Sequence, residues 1–185
     1  MRKPRAPLLT LMTGIARSGK STWVRKFKGD AVVVCPDTIR KVIYGHQFHT
    51  AAEDYIWAMA KAMARLLLLQ GKSVALDATL VVDSFREPWL KIAKEYGART
   101  RLVWMGTTVE ECQERNRMSV FSKRVPAEVL ERMHKAFMTP SPRSADEVLL
   151  VLTKKRGYEI RRIFAGGKIL SGRGKVLRGE IVRKG

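Results

Sequence analysis

Gly14-Ile15-Ala16-Arg17-Ser18-Gly19-Lys20-Ser21 is a complete G-x-x-x-x-G-K-S loop, and its flanks decide the fold. The apolar run Leu8–Thr13 before it has strand character, and Ser21–Phe27 after it can start a helix. Strand, loop and helix together make a phosphate-binding loop. The glycines let successive N–H groups curl toward a polyphosphate, Lys20 reaches the β/γ-phosphates, and the Ser21 hydroxyl can hold Mg²⁺. The helix N-terminus adds partial positive charge to the same place. The expected nucleotide ligands are Gly14, Arg17, Ser18, Gly19, Lys20, Ser21 and Thr22, with ATP and Mg²⁺ as cofactors.

Outward from the loop, strands alternate with helices. Ala31–Cys35 is a β-branched run suited to a buried parallel strand, punctuated by Pro36 and followed by Asp37-Thr38-Ile39-Arg40. Residues 51–70 read as a helix with Ile56, Met59, Ala60 and Met63 on its apolar face, stopped by Gly71. Ser73–Asp77 is a third strand. Asp83 or Ser84 caps a helix running to Tyr96, and Arg101–Met105 is a fourth strand. A helix from about Thr108 to Arg115 leads into a basic stretch that ends at Arg124. Pro126 opens a helix through about Phe137, and Glu147–Leu152 is a fifth strand. This order predicts an α/β P-loop kinase fold: a five-stranded parallel sheet flanked by helices, with a lid and a basic C-terminal extension. Asp37, Asp77 and the loop all fall at C-terminal strand ends, where such sheets bind ligands.

The domain is expected over residues 1–153. Residues 154–185 read as a basic hairpin or flexible extension, because they offer too little apolar area to offset the entropy of ordering a second core. Tyr158–Phe164 alternates loosely, and Ala165–Lys168 can turn it back into Ile169 and Leu170.

The formal charge of +19 exceeds what phosphate binding alone needs and points to a polyanionic partner, nucleic acid. Residues 154–185 contribute eleven Lys/Arg and two Glu, or +9, which leaves +10 on the rest. The longest candidate apolar run, Leu66–Leu69, falls far short of the roughly 20 residues of a membrane span. The basic start, Met1–Pro7, leads straight into the first strand, so no secretion signal is read. Cys35 and Cys112 lack metal or redox spacing, which fits a reduced, cytoplasmic setting.

Phosphoryl transfer needs a metal-side carboxylate, a group that deprotonates the acceptor, and cations for developing charge. Asp77, ending an apolar strand, suits the first role; a helix-capping Asp is the plainer reading. Asp37 and Arg40 stand three apart, on one helix face. Asp37 can take a hydroxyl proton while Arg40 binds a phosphate beside it; a cap and a solvated arginine are the alternative. Arg115, Arg117, Lys123 and Arg124 lie in a segment able to close over a triphosphate. Taken singly, each also fits a solvated charge run. His46-Gln47-Phe48-His49 lacks zinc-helix spacing, and His134 reads as ordinary. Trp23, Trp57, Trp89 and Trp104 are candidates for base stacking, although Trp57 and Trp104 lie in apolar patterns and read as core.

These pieces resemble the phage-type polynucleotide 5′-kinase family among the small P-loop kinases. The matching residues are Gly14–Ser21, Asp37–Arg40, Leu76–Thr79, Ala93–Gly97, Arg115-Asn116, and Val125-Pro126 with Val129, Leu130 and Met133. The resemblance implies that Lys20 and Ser21 hold ATP·Mg²⁺, with Arg115 on the nucleotide side. Asp37 would be the general base on a terminal 5′-hydroxyl, and Arg40 would bind the adjacent 3′-phosphate. Asp77 and Thr79 would serve the acceptor or metal site, and Arg117 or Arg124 would contact donor phosphates. Leu80 stands where the family often has Asn, and the basic tail has no counterpart in it. The first reading is therefore a nucleic-acid repair kinase for 5′-hydroxyl ends. A small-molecule kinase of the same fold is the second; it would not need +10 on its core. An NTP-switched nucleic-acid-binding protein is the third, and it would not need a general base.

Overall fold

Leu8–Thr13 forms the central strand, β1, and all but Leu8 of its residues are buried. The computed structural model describes residues 6–45, 50–154 and 157–163, together with the backbone of 169–170. His46–His49, Met1–Arg5, and the greater part of the basic extension lie outside them. β1 runs into helix α1 (Lys20–Phe27) through the glycine loop. There follow β2 (Val32–Val34), α2 (Pro36–Tyr44), α3 (Glu53–Leu69), β3 (Val74–Leu76), α4 (Asp83–Glu95), β4 (Arg99–Met105), α5 (Val109–Arg117), α6 (Ala127–Lys135), β5 (Glu147–Lys154), β6 (Gly157–Ile163) and β7 (Ile169–Leu170).

The seven strands lie in the order β2-β3-β1-β4-β5-β6-β7. The first five are parallel, as the sequence predicts. β6 then pairs antiparallel with β5, and β7 with β6, so the sheet is mixed at this edge. The sheet is wound in opposite directions on either side of β1, so the crevice beyond its end has β3 and β2 on one flank and β4 and β5 on the other.

Strand alternation divides the core between two faces. Leu9, Leu11, Val74, Leu76, Leu102 and Val148 pack under α3 and α4, against Ala60, Ala64, Trp89 and Ile92. Met12, Ala75, Val103, Met105, Leu149 and Val151 pack under α1, against Trp23 and Val24. Trp23 and Trp89 are thus core residues, at 2% and 1% exposure. Trp57 and Trp104, expected as core, are only partly buried, Trp57 edge-on to Trp89 and Trp104 stacked on Phe137. Along α3 the buried face is Ile56, Ala60, Ala64 and Leu68, whereas Met59 and Met63 face outward. The small alanines bring the helix close to the sheet, and the methionines sit one position round from that contact.

Asp83 does not cap α4. Val82 occupies the cap position with no side-chain bond, and Asp83 pairs with Arg86 at 2.7 Å. Arg86 is 1% exposed and also donates to the carbonyls of Leu80 (3.0 Å), Val81 (2.9 Å) and Met138. It thereby ties the segment after β3 to the chain leaving α6. Leu80, at the position in question from the sequence, buries its side chain in the core. α5 opens on a reciprocal capping box between Thr108 and Glu111, which the composition T-x-x-E already encodes. No helix among the described residues is long and apolar enough to cross a membrane.

Candidate active site

The phosphate loop turns on three positive φ angles: Gly14 at 143°, Arg17 at 66° and Gly19 at 99°. A Cβ at Gly14 would also fall 2.8 Å from Ser18 Oγ, so glycine is required there both for conformation and for space. Thr107 Oγ1 donates to the Ser18 carbonyl at 2.8 Å and braces the outer turn. The Ser18 hydroxyl is buried, with no hydrogen-bond partner among the described residues.

Lys20 opens α1 and is buried, its Nζ donating to the carbonyl oxygens of Gly14 (3.0 Å) and Ile15 (2.8 Å). Burial pulls its pKa down to about 8, against the opposing charge of Asp77. With two of its three donors on neutral carbonyls, the ammonium suits a bound phosphate. Burial raises the Asp77 pKa, while the Ser21 hydroxyl and the Lys20 charge oppose the rise. Ser21 and Asp77 offer two hard oxygens. Among the described residues no cluster of three or more acidic, His or Cys side chains could hold a metal by itself. One carboxylate and one hydroxyl are the kind of donors that Mg²⁺ takes, usually together with phosphate oxygens and water.

On the β2 flank, Pro36 starts α2 directly after the strand, so Asp37 lies in the first turn and Arg40 one turn on. The Asp37 carboxylate is exposed, with Oδ1 at 2.5 Å from Arg40 NH1. Arg40 also grips Glu53, Nε to Oε1 at 2.7 Å and NH2 to Oε2 at 2.8 Å. Glu53 first, then Asp37, raises the Arg40 pKa above its ordinary value. Asp37 acts electrostatically on both Lys20 and Asp77, so the three belong to one crevice.

On the other flank an open cleft of about 450 Å³ is lined by Arg17, Gly19, Lys20, Ser21, Thr22, Arg115, Ser119, Thr153 and Tyr158. Arg17 and Arg115 therefore face the same cleft as Lys20 and Ser21. Arg117 and Arg124 are exposed and outside this lining, and Thr79 is half-buried on the segment after β3. Glu53, Ser119, Thr153 and Tyr158 are additions that sequence reasoning did not supply, and Asn116 entered it only within the Arg115-Asn116 motif, without a role. Thr153 and Tyr158 reach the cleft because β6 folds back along β5. Tyr158 is wedged edge-on against Phe27 at 5.5 Å, with Lys26 Nζ 5.8 Å from its ring centre.

Residues 9–140 match the AAA domain family. Among solved structures, a chain of the Pnkp1/Rnl/Hen1 RNA repair complex is similar with a TM-score of 0.64 at 25% identity, over 73% of this chain and 45% of that one. This chain thus spans less than half the length of that relative. The Mycobacterium tuberculosis APS kinase CysC, in complex with AMPPNP and APS, is similar with a TM-score of 0.57 at 22% identity, over 80% of this chain and 90% of that one. A gluconokinase from Sinorhizobium meliloti gives 0.55 at 17%, over 83% and 86%. These last two bear on the fold alone. No curated protein sequence matches the chain. The loop, the sheet order and the matched span agree: the chain belongs to the AAA domain family and has the nucleotide-binding P-loop kinase fold.

Proposed function

We propose that the protein transfers the γ-phosphate of ATP to the 5′-hydroxyl end of a polynucleotide. The observation that carries this reading is the pair Asp37 and Arg40 on the acceptor flank, a carboxylate and a guanidinium 2.5 Å apart beside Lys20 and Asp77. The formal charge of +19 and the similarity to a chain of an RNA repair complex support it. Asp37 takes the proton of the 5′-hydroxyl as its oxygen bonds to the γ-phosphorus. The bond from that phosphorus to the β,γ-bridging oxygen breaks, and ADP leaves. Lys20, Arg17 and Arg115 neutralise charge on the donor phosphates, and Arg40 binds the acceptor's adjacent phosphate. Ser21 and Asp77 would hold Mg²⁺, which supplies charge neutralisation across the β- and γ-phosphates. In the cell we place the enzyme in the cytoplasm, acting in nucleic-acid repair.

A small-molecule kinase is the second reading, favoured by the bidentate Arg40–Glu53 pair, which already satisfies much of the guanidinium without an acceptor phosphate. Labelled γ-phosphate transfer separates the two. The acceptors are 5′-hydroxyl DNA and RNA oligonucleotides, the same oligonucleotides already 5′-phosphorylated, 3′-mononucleotides and free nucleosides. Label confined to 5′-hydroxyl ends and reduced about 10²-fold or more by Asp37→Asn, with ATP still bound, supports the end-kinase reading. Label absent from every nucleic acid rejects it.

A further inference from the structure

Asn116 lies in α5 with 8% of its surface exposed. Its Oδ1 accepts from the Val125 N–H at 2.9 Å, and its Nδ2 donates to the Val125 carbonyl at 2.7 Å. The two bonds close the neck of the loop 117–124 much as a backbone pair would. Oδ1 accepts a second bond, at 3.2 Å, from Nε of Arg17 across in the phosphate loop. Inside the neck, Ser119 Oγ donates to the Arg115 carbonyl and Arg124 Nε donates to the Ser119 carbonyl, each at 2.9 Å. The loop so closed carries Arg117, Lys123 and Arg124.

Arg17 is the only non-glycine residue with a positive φ among those described. That conformation is disfavoured for an L-residue and needs support from outside. α5 supplies it: Arg115 NH1 donates to the Arg17 carbonyl at 3.4 Å, and Asn116 holds the side chain. With Nε pinned, the terminal nitrogens of Arg17 are left for the cleft that it lines.

We infer that Asn116 is a positioning residue that locks the lid loop to the phosphate loop, so that Arg17 and the lid cations meet a donor phosphate as one unit. The phosphate-transfer consequence rests on the function proposed above; the lock itself does not. ADP binding at the phosphate loop is therefore felt at residues 117–125 chiefly through this amide, beside the bonds that Arg115 makes to the Arg17 carbonyl and to Ser119.

The test uses the full chain and ADP, in four forms besides the wild type: Asn116→Ala, Asn116→Asp, Arg17→Gly, and Arg17→Gly combined with Asn116→Ala. Glycine is chosen at position 17 because it accepts the positive φ. Calorimetry gives ADP affinity, and amide hydrogen exchange follows residues 117–125 with and without ADP. In the wild type, ADP slows exchange of this segment about tenfold or more. Arg17→Gly and Asn116→Ala each abolish that slowing and each weaken ADP binding by roughly tenfold, the scale of a charge-assisted hydrogen bond. The double variant is no weaker than either single one. Asn116→Asp retains the acceptor for Arg17 but loses the donor to Val125, so loop exchange rises while ADP affinity stays near wild type. Multiplied losses in the double variant, or ADP-induced slowing that survives in Asn116→Ala, overturn the inference. If Asn116→Ala does not fold, Arg17→Gly decides alone, since retained slowing in that variant overturns the lock. A wild type that binds ADP but phosphorylates no nucleic acid defeats the proposed function and leaves both of these readouts intact.

Discussion

Arg40 holds Glu53 through two parallel hydrogen bonds of 2.7 and 2.8 Å, and this pair joins α2 to α3 beside the acceptor flank. The guanidinium is thus oriented before any acceptor arrives, with NH1 turned to Asp37. Fork-to-fork pairing of this kind fixes both angle and distance. Glu53→Ala removes the clamp. Transfer to the acceptor is expected to fall in kcat/KM by roughly tenfold, since one or two charge-assisted bonds no longer orient Arg40. ADP affinity stays at the wild-type level. Steady-state kinetics and calorimetry check the pair, and a selective loss of ADP binding would place Glu53 on the wrong flank.

Lys20 sets a pH dependence for nucleotide binding. Its pKa in the free protein is lowered to about 8 by burial. A phosphate favours the charged form, so binding raises the pKa again. Affinity is therefore full below pH 8 and falls as pH rises above it, by at most about tenfold per unit, until the pKa of the complex is reached. ADP titrations in EDTA from pH 6.5 to pH 9.5 test this, with the metal removed so that only the side chain titrates. Flat affinity across that range would mean that Lys20 keeps its proton throughout. Lys20→Ala should abolish ATP turnover.

Arg86 predicts a stability defect away from the chemistry. Arg86→Ala strips donors from the carbonyls of Leu80, Val81 and Met138 and leaves a void beneath Phe137. Unsatisfied buried groups of this kind cost about 3 kcal/mol or more together, a drop of roughly 10 °C in Tm for a chain of this size. Calorimetric melting measures it. Arg86→Lys recovers only part of the loss, because one ammonium cannot replace a planar fork across these acceptors. An unchanged Tm in Arg86→Ala would remove the arginine from the account of how the segment after β3 is held.

The basic tail predicts a salt effect. Replacing Arg173, Lys175, Arg178, Arg183 and Lys184 by Ala should weaken binding to a single-stranded oligonucleotide at low salt. It should also lower the slope of log K against log salt by roughly 2 to 3, the release expected if most of these five charges meet phosphates. An unchanged slope takes the tail off the nucleic acid.

Much of the fold was legible because its signals are local. Gly14 to Ser21 needs only its own backbone conformation and its two flanks, and a β-branched run such as Val32–Val34 reads as a strand wherever it lies. The Thr108–Glu111 capping box was equally available, three residues apart, and explains why α5 holds together through Arg117. Side-chain exposure was less legible. Met59 and Met63 share the helical spacing of Ile56, yet the choice of which stripe meets the sheet was made by the alanines that let α3 approach.

By itself the sequence determined the phosphate loop, the order of strands and helices along the chain, and the placing of Asp37 and Asp77 just past strand ends, because residues within one element specify these. Only the tertiary structure decided the partners that lie far apart in the chain. Glu53 meets Arg40 across thirteen residues, Asn116 meets Arg17 across ninety-nine, and Tyr158 reaches the phosphate loop through an antiparallel β6. Such contacts are set by how helices seat on a sheet and by where the edge strand turns back. No spacing along the chain encodes them, since each depends on packing that forms only when the whole core does.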